Sequence, residues 1–277
     1  MRIYKNFEQV NINDYSRIVA GAFFQLQKNC LTRIKEILNS SEKEKMLFVD
    51  VEPGGSDADL RLILSQNERM KLLEQVGVDN YIFLSNNRFF EVLKTAGQYH
   101  VKVNLVCGLT EAGVNPKPGK EFLCALNINN RSFNWHKQLG FLYPVTGEVV
   151  YGNKIGRTLG YPTANVRPDD SEKIIPPMGV YAGWVRCRNT WFKSMINIGI
   201  RPTLDLENVT IEAHLFDFSA NIYGEEISIH FQSRIRDEMR FSSLEVLKDQ
   251  LKTDQKVALQ LLSNHSLFLQ SDNFIIL

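Results

Sequence analysis

Long apolar runs, paired cysteines and an excess of charge are all missing from this sequence of 277 residues. No stretch reaches the roughly 18 apolar residues of a transmembrane helix, which predicts a chain without a membrane span. Lys and Arg number 32 against 31 for Asp and Glu, which excludes a surface built to bind a phosphate backbone. The cysteines form no CxxC pair, and the first residues lack the apolar core of a signal peptide. We therefore expect a cytoplasmic protein with small-molecule partners, no nucleic acid and no membrane, and leave a homo-oligomer open.

The first half of the sequence alternates buried strands with amphipathic helices. Residues 46–51 form an apolar run typical of a buried strand, and residues 81–84 and 101–106 form two more. Ser65 and Glu68 have the spacing of a capping box at the start of a helix. Strands that alternate with helices predict a parallel sheet of the doubly wound type.

The second half consists of short strands separated by glycine and proline. Residues 226–231 alternate between apolar and polar side chains, as a strand of a small barrel or sandwich does. A capping box at Ser242–Glu245 predicts one long C-terminal helix. The apolar stripe of this helix consists of Leu244, Leu247, Leu251, Ala258 and Leu261. We place the two domains at residues 1–140 and 141–277.

A glycine-rich segment between two strands of the second half is the first candidate site. Its glycine, cationic and oxygen-bearing residues are Gly152, Lys154, Gly156, Arg157, Gly160, Thr163 and Asn165. Glycines every fourth residue let a backbone approach a ligand closely, and the cations suit phosphate. Thr163 and Asn165 add hard oxygen donors that suit Mg²⁺. The spacing is neither that of a Walker A loop nor that of a Rossmann fingerprint, and an ordinary turn explains it equally well.

Glu212 is the second candidate, because it lies on the polar face of a strand whose other face is apolar. A solvated glutamate on an exposed sheet face is the simpler interpretation of this pattern. The functional interpretation is a general base that takes a proton from an attacking hydroxyl. His214 lies on the same face, where we interpret it as a surface residue or as support for a neighbouring ligand.

The glycine-rich segment resembles the signature of the riboflavin kinases, whose bacterial members are the C-terminal half of bifunctional riboflavin kinase/FAD synthetases. The resemblance covers residues 143–262, and its blocks come in the order that the family has. These blocks are Gly152-x3-Gly156-Arg-x-Leu-Gly160-Tyr-Pro-Thr-Ala-Asn165, Pro177-x-Gly-Val-Tyr-Ala182, Asn197-Ile-Gly-x-Arg-Pro-Thr203, Glu212-x-His-Leu-Phe-Asp-Phe218, Tyr223-Gly224 and Ile235-Arg-Asp-Glu-x-x-Phe241.

The resemblance implies a six-stranded antiparallel β-barrel with a closing C-terminal helix, which transfers the γ-phosphate of ATP to the 5′-hydroxyl of riboflavin and gives FMN. It implies Glu212 as the base that accepts the hydroxyl proton. Thr163 and Asn165 would hold Mg²⁺ and the ATP phosphates, and Arg236 and Glu238 would lie on a loop that covers the flavin. The nucleotide flap would contain Gly152, Gly156, Arg157 and Gly160.

The first half resembles the FMN adenylyltransferase domain that precedes this kinase in bacteria. The signature of that domain is G-x-F-D-G-x-H-x-G-H, and this sequence has Gly21-Ala-Phe-Phe-Gln-Leu-Gln-Lys-Asn-Cys30. Gln27 and Cys30 stand where the two histidines would donate to the α-phosphate, and a thiol is a weak donor. We therefore expect a Rossmann-like, nucleotidyltransferase-type domain that has lost adenylylation. A bifunctional enzyme that also makes FAD and a non-catalytic flavin-binding regulatory protein stay as alternatives.

Overall fold

The structure is a computed structural model. It describes residues 1–21, 23, 28–40, 44–52, 64–106, 109–110, 113–114, 139–152, 155–202 and 207–263. The chain divides into two compact units, one that ends at Gly140 and one that runs on from Phe141. Among the described residues, no helix combines the length and the apolar character needed to cross a bilayer.

The N-terminal unit is built on a five-stranded parallel sheet in the order β1-β4-β3-β2-β5. Its strands are β1 (Arg2–Tyr4), β2 (Arg17–Gly21), β3 (Met46–Glu52), β4 (Asn80–Ser85) and β5 (Lys102–Val106). Its helices are α1 (Lys28–Asn39), α2 (Gln66–Gln75) and α3 (Asn86–Gln98), with single 3₁₀ turns at Phe7–Gln9 and Ile12–Asp14. A small hairpin pairs β6 (Leu109–Thr110) with β7 (Gly113–Val114). The parallel sheet confirms the prediction of a Rossmann-like α/β domain.

The ends of helix α2 follow the predicted signals. The Ser65 hydroxyl accepts a hydrogen bond from the Glu68 amide at 3.3 Å, and the Glu68 carboxylate accepts one from the Ser65 amide at 3.0 Å. This reciprocal pair satisfies two amides that a helix start leaves unbonded. Gly77 ends the helix with a φ of +99°, a conformation that side-chain-bearing residues disfavour.

A buried polar cluster joins β3, β4 and α2. The Asp50 carboxylate lies at the carboxyl end of β3 and is fully buried. It accepts hydrogen bonds from Arg69 Nε at 2.8 Å, from the Tyr81 hydroxyl at 2.5 Å and from the Phe23 amide at 3.2 Å. Burial, followed by the charge of Asp50, raises the pKa of Tyr81, so the phenol stays a neutral donor. The cluster therefore fixes the helix to two strands from inside the domain.

The C-terminal unit is a closed barrel of six antiparallel strands in the order β10-β11-β12-β9-β8-β13. The strands are β8 (Tyr143–Val150), β9 (Ala164–Pro168), β10 (Gly179–Cys187), β11 (Thr190–Pro202), β12 (Glu207–Leu215) and β13 (Glu226–Arg236). A single turn of helix, α4 (Ile155–Thr158), stands between β8 and β9. The closed barrel with its C-terminal helix confirms the predicted fold class.

Strand β13 has the predicted alternation, but its polar face is covered as well. His230 is fully buried, and its ring lies edge-on to the Trp191 ring at 4.8 Å between centroids. The Gln232 side chain accepts from Trp184 Nε1 at 2.9 Å and donates to the Leu261 carbonyl at 2.9 Å. The Gln232 side chain is therefore bonded through both its oxygen and its nitrogen within this layer, as buried polar groups usually are.

Helix α5 (Leu244–Ser263) packs across β10, β11 and β13. Its cap is Ser243, whose hydroxyl accepts from the Val246 amide at 3.3 Å, so the predicted capping box at Ser242 is wrong by one residue. Leu244, predicted on the apolar stripe, is 55% exposed. The buried residues of the helix are Asp254, Ala258 and Leu262.

Candidate functional site

Two cavities lie in the C-terminal unit on either side of Thr163. The helix-side cavity, of about 370 Å³, lies between the barrel, the segment after β13 and helix α5. The loop-side cavity, of about 440 Å³, lies between the segment around Arg157 and residues 218–223. Thr163 lines both cavities, so a group bound in one would meet a group bound in the other beside this residue.

Thr163 and Glu212 meet where the two cavities join. Thr163 directly precedes β9, and its hydroxyl donates to Glu212 Oε2 at 3.1 Å. Glu212 stands in β12 opposite Asn165 of β9 on one side and opposite Asn197 of β11 on the other. Glu212 is half-buried and lines the helix-side cavity, so the interpretation as a solvated glutamate on an exposed sheet face is wrong.

The predicted glycines differ in what they contact and in which cavity they line. A β-carbon on Gly152 would lie 2.3 Å from Asn165 Nδ2, so the lack of a side chain lets Asn165 pack against the backbone. Gly160 has a φ of +84° in the turn after α4, which favours glycine. Gly156 lines the helix-side cavity, and Arg157 is exposed and lines the loop-side cavity. Lys154 lies outside the described residues.

Arg236 lines the helix-side cavity, but its guanidinium is held by Asp254 of helix α5. Arg236 Nε donates to Asp254 Oδ1 at 3.0 Å and Nη2 donates to Asp254 Oδ2 at 2.7 Å, a bidentate pair, and Gln250 Nε2 donates to Asp254 Oδ1 at 2.8 Å. Asp254 is only 1% exposed. Glu238 lies two residues after Arg236. Its Oε1 lies 2.1 Å from the position that a β-carbon on Gly199 would take. The pair therefore ties the end of β13 to helix α5.

Sequence reasoning missed Asp254 as a site residue, although a signal was present. Asp254 falls three residues after Leu251 and four before Ala258, on the apolar stripe of an amphipathic helix. A carboxylate at such a position is buried and needs a cationic partner. The sequence could thus have indicated a buried ion pair, but not that its partner is Arg236.

His214 is buried, contrary to its interpretation as a surface residue, and lines the helix-side cavity. Its Nδ1 lies 2.7 Å from the Pro162 carbonyl oxygen. The loss of water around the ring lowers the pKa of His214, and the bond to Pro162 opposes this effect. The imidazole is therefore neutral near pH 7.

The oxygen donors of Thr163 and Asn165 are of the kind that Mg²⁺ accepts. Mg²⁺ usually takes one or two protein oxygens and completes its shell with water and substrate phosphates. The described residues contain no cluster of three or more His, Cys, Asp or Glu side chains arranged to hold a metal alone. Thr163 and Asn165 together match the one or two protein oxygens that Mg²⁺ usually takes.

The motif that Gly21–Cys30 forms in the N-terminal half is only partly described. Residues 22 and 24–27, which include Gln27, lie outside the described residues. Cys30 lies in α1, one residue from the buried Leu31.

A family model for riboflavin kinase, also described as flavokinase, matches residues 139–262. This region of the chain matches the riboflavin kinase family. The match begins at the boundary between the two units and ends within helix α5, so it covers the barrel and both cavities. The resemblance of residues 143–262 to the riboflavin kinases is thereby confirmed.

Curated relatives match stretches of similar length. A bifunctional riboflavin kinase/FMN adenylyltransferase of Haemophilus influenzae is 43% identical over 121 residues, which are 43% of this chain and 39% of that protein. The Bacillus subtilis protein of the same name is 40% identical over 129 residues, or 46% of this chain and 40% of the relative. The matched region thus spans about two fifths of the length of these relatives.

One solved structure resembles the chain over both halves. It is titled a macrolide-efflux protein from Streptococcus pneumoniae, and it superposes with a TM-score of 0.69 at 26% identity. The alignment covers 93% of this chain and 98% of that one. The combination of a parallel α/β domain with a barrel domain is therefore shared with a solved protein.

Proposed function

We propose that this chain is a riboflavin kinase that transfers the γ-phosphate of ATP to the 5′-hydroxyl of riboflavin and releases FMN. The observation that carries the proposal is the contact of Thr163 with Glu212 at the junction of two cavities. Phosphoryl transfer needs two substrates held in line, charge neutralisation and a residue that orients or deprotonates the nucleophile. The match to the riboflavin kinase family supports this reaction over other phosphoryl transfers.

In this proposal the helix-side cavity takes riboflavin. Much of its lining is apolar, with Leu159, Val180, Met195, Ile200 and Leu251 among its residues. A planar heteroaromatic ring system gains most from burial against such surface. Arg236 and Glu238 close this cavity on the side of the segment after β13, which supports their assignment to the flavin side.

The loop-side cavity takes ATP, with its phosphates directed toward Thr163. Arg157 lines this cavity and offers a guanidinium to phosphate oxygens. Gly152, Gly156 and Gly160 belong to the segment between β8 and β9 that we assign to the nucleotide flap, and Thr163 with Asn165 would hold Mg²⁺. That ion would neutralise charge on the phosphate oxygens.

Glu212 is the general base of the proposed reaction. Its Oε2 already accepts from Thr163, so the carboxylate lies beside the residue that faces both cavities. From there it can accept the proton of a hydroxyl that enters from the helix-side cavity. Asn165 and Asn197, its two neighbours in the sheet, flank it with amides that carry no charge.

The N-terminal domain, in our proposal, no longer adenylylates FMN. Gln27 and Cys30 replace the two histidines of the family signature, and neither can carry the positive charge of a protonated imidazole. The names of the curated relatives favour the second candidate, a bifunctional enzyme that also makes FAD. We place the protein in the cytoplasm, where ATP is available.

Product analysis tests both halves with two reactions. With Mg²⁺, ATP and riboflavin we expect FMN on chromatography, and Glu212→Gln should lower kcat by about 10²–10⁴. With Mg²⁺, ATP and FMN we expect neither FAD nor pyrophosphate. No FMN from the first reaction would reject the kinase, and FAD from the second would establish the bifunctional enzyme. If turnover disappears in Glu212→Gln while flavin binding survives, the alternative of a non-catalytic flavin-binding regulatory protein is rejected.

A further inference from the structure

His214 and Glu212 stand two residues apart on the same face of β12, and both line the helix-side cavity. The Pro162 carbonyl oxygen has no proton, so at 2.7 Å the Nδ1 of His214 must be the donor. In a neutral imidazole the proton on Nδ1 leaves Nε2 without one. The Pro162 carbonyl therefore fixes the tautomer of this ring.

The same hydrogen bond fixes the backbone just before Thr163. Proline has no amide proton and a restricted φ, so the direction of its carbonyl sets the plane of the Pro162–Thr163 peptide. Thr163 then turns its hydroxyl onto Glu212 Oε2 at 3.1 Å. Two residues of β12 thus bind two consecutive residues of the chain. His214 binds the Pro162 carbonyl, and Glu212 accepts the hydrogen bond of the Thr163 hydroxyl.

Two aromatic side chains hold the imidazole in this orientation. The Tyr161 ring lies edge-on to it at 5.2 Å between centroids, and the Phe216 ring does so at 5.4 Å. The Tyr161 hydroxyl in turn donates to Gln255 of helix α5 at 3.0 Å. The two neighbouring rings thus restrict the imidazole, and its hydrogen bond to the Pro162 carbonyl defines its direction.

We propose that His214 is a positioning residue for phosphoryl transfer, whose Nδ1–H holds the Pro162 carbonyl and thereby aligns Thr163 with Glu212. This inference rests on the proposed kinase function. It assigns the effect of His214 to Thr163 and to the phosphates and Mg²⁺ that Thr163 would hold. A role in which Nε2 binds riboflavin directly in the helix-side cavity is the competing assignment.

Two substitutions separate these roles because each preserves one ring nitrogen. The amide nitrogen of asparagine occupies the place of Nδ1, whereas that of glutamine reaches the place of Nε2. We expect His214→Gln to lower kcat by about 10- to 100-fold and to raise the Mg²⁺ concentration needed for half-maximal rate, since small misplacements of reacting groups cost this much. His214→Asn should recover most of the rate. The KM for riboflavin should change little in either variant.

The opposite pattern overturns the proposal. If His214→Asn is as impaired as His214→Gln, or if the loss falls only on the KM for riboflavin, then His214 does not act through Pro162. His230→Gln is the matched control, because His230 is fully buried in the same barrel, bonds to Ser228 at 3.0 Å and is not among the residues that line either cavity. This control should lower Tm without changing kcat.

A spectroscopic measurement separates failure of this proposal from failure of the kinase function. Long-range ¹H–¹⁵N NMR of the wild-type chain, assigned by loss of the His214 signals in His214→Gln, reports which ring nitrogen carries the proton. We expect the Nδ1-protonated tautomer near pH 7, and the Nε2-protonated tautomer would overturn the proposal whether or not the chain makes FMN. A wild-type chain that makes no FMN would instead reject the proposed function.

Discussion

At the scale of single residues, the packing of Gly152 against Asn165 depends on the absence of one carbon atom. A β-carbon at residue 152 would lie 2.3 Å from Nδ2 and 2.6 Å from Oδ1 of Asn165. Three side-chain atoms of Asn165 lie this close, so the whole amide group would have to move aside. This glycine thus sets the position of an oxygen that we assign to Mg²⁺ and phosphate.

We expect Gly152→Ala to lower kcat by about 10-fold or more and to raise the Mg²⁺ requirement, because a displaced Asn165 aligns the phosphate poorly. Steady-state rates measured over a range of Mg²⁺ concentrations test this. Gly97→Ala is the control, since a β-carbon there meets nothing within 4 Å, and alanine in a helix is neutral or favourable. Normal Mg²⁺ dependence in Gly152→Ala would show that this contact has no role in the reaction.

The sequence identified Glu212 and Thr163 as separate candidates, but not their contact. Alternation along β12 gives the face of Glu212 and does not say whether that face meets water, a helix or a cavity. The register of β9 against β12 decides this, because it brings Asn165 opposite Glu212. Of the two interpretations of His214, the surface residue is wrong for the same reason, since a polar face is buried when another element covers it.

At the scale of elements, helix α5 and the end of β13 are joined by the pair of Arg236 and Asp254. The side chain of Asp254 is 2% exposed and that of Arg236 is 17% exposed, so both charges are largely removed from water. Removing one partner of such a pair leaves the other without compensation. The pair therefore holds one wall of the helix-side cavity at a fixed distance from the barrel.

Asp254→Asn should lower the stability of the barrel and raise the KM for riboflavin, because an amide cannot neutralise Arg236. We expect a loss of about 1–3 kcal/mol in the free energy of unfolding, measured by denaturant titration. Asp249→Asn is the control on the same helix, since Asp249 is 75% exposed and pairs only with the exposed Lys252. If the two variants behave alike, the buried pair does not shape the flavin site.

Helix boundaries show which part of an element a local pattern can predict. The box at Ser65 and Glu68 was predicted correctly, because both partners of the motif lie within four residues. Two consecutive serines precede helix α5. The spacing from Ser242 to Glu245 predicted Ser242 as the cap, which is wrong. The start of that helix is set by Ser243, with Leu244 left in solvent, a choice that depends on how the helix meets the barrel.

At the scale of the whole molecule, the two units have separate cores and separate polar clusters. The core of the N-terminal unit surrounds β2, β3 and β4, and one core cluster of the C-terminal unit lies between the barrel and α5. The cluster of Asp50, Arg69 and Tyr81 belongs to the first unit alone. Damage to this cluster should therefore leave the riboflavin kinase domain intact.

Arg69→Met tests this independence. The substitution leaves Asp50 buried without its cation, which should cost about 3–5 kcal/mol of N-terminal stability. In a calorimetric scan we expect an earlier transition for one unit and an unchanged transition for the other, with kcat for FMN formation as in the wild type. Arg33→Met in the same unit breaks an exposed pair with Glu36. It should change the free energy of unfolding of either unit by no more than about 0.5 kcal/mol. A single transition that moves as a whole, together with a loss of kinase rate in Arg69→Met, would show that the N-terminal domain stabilises the barrel on which the site is built.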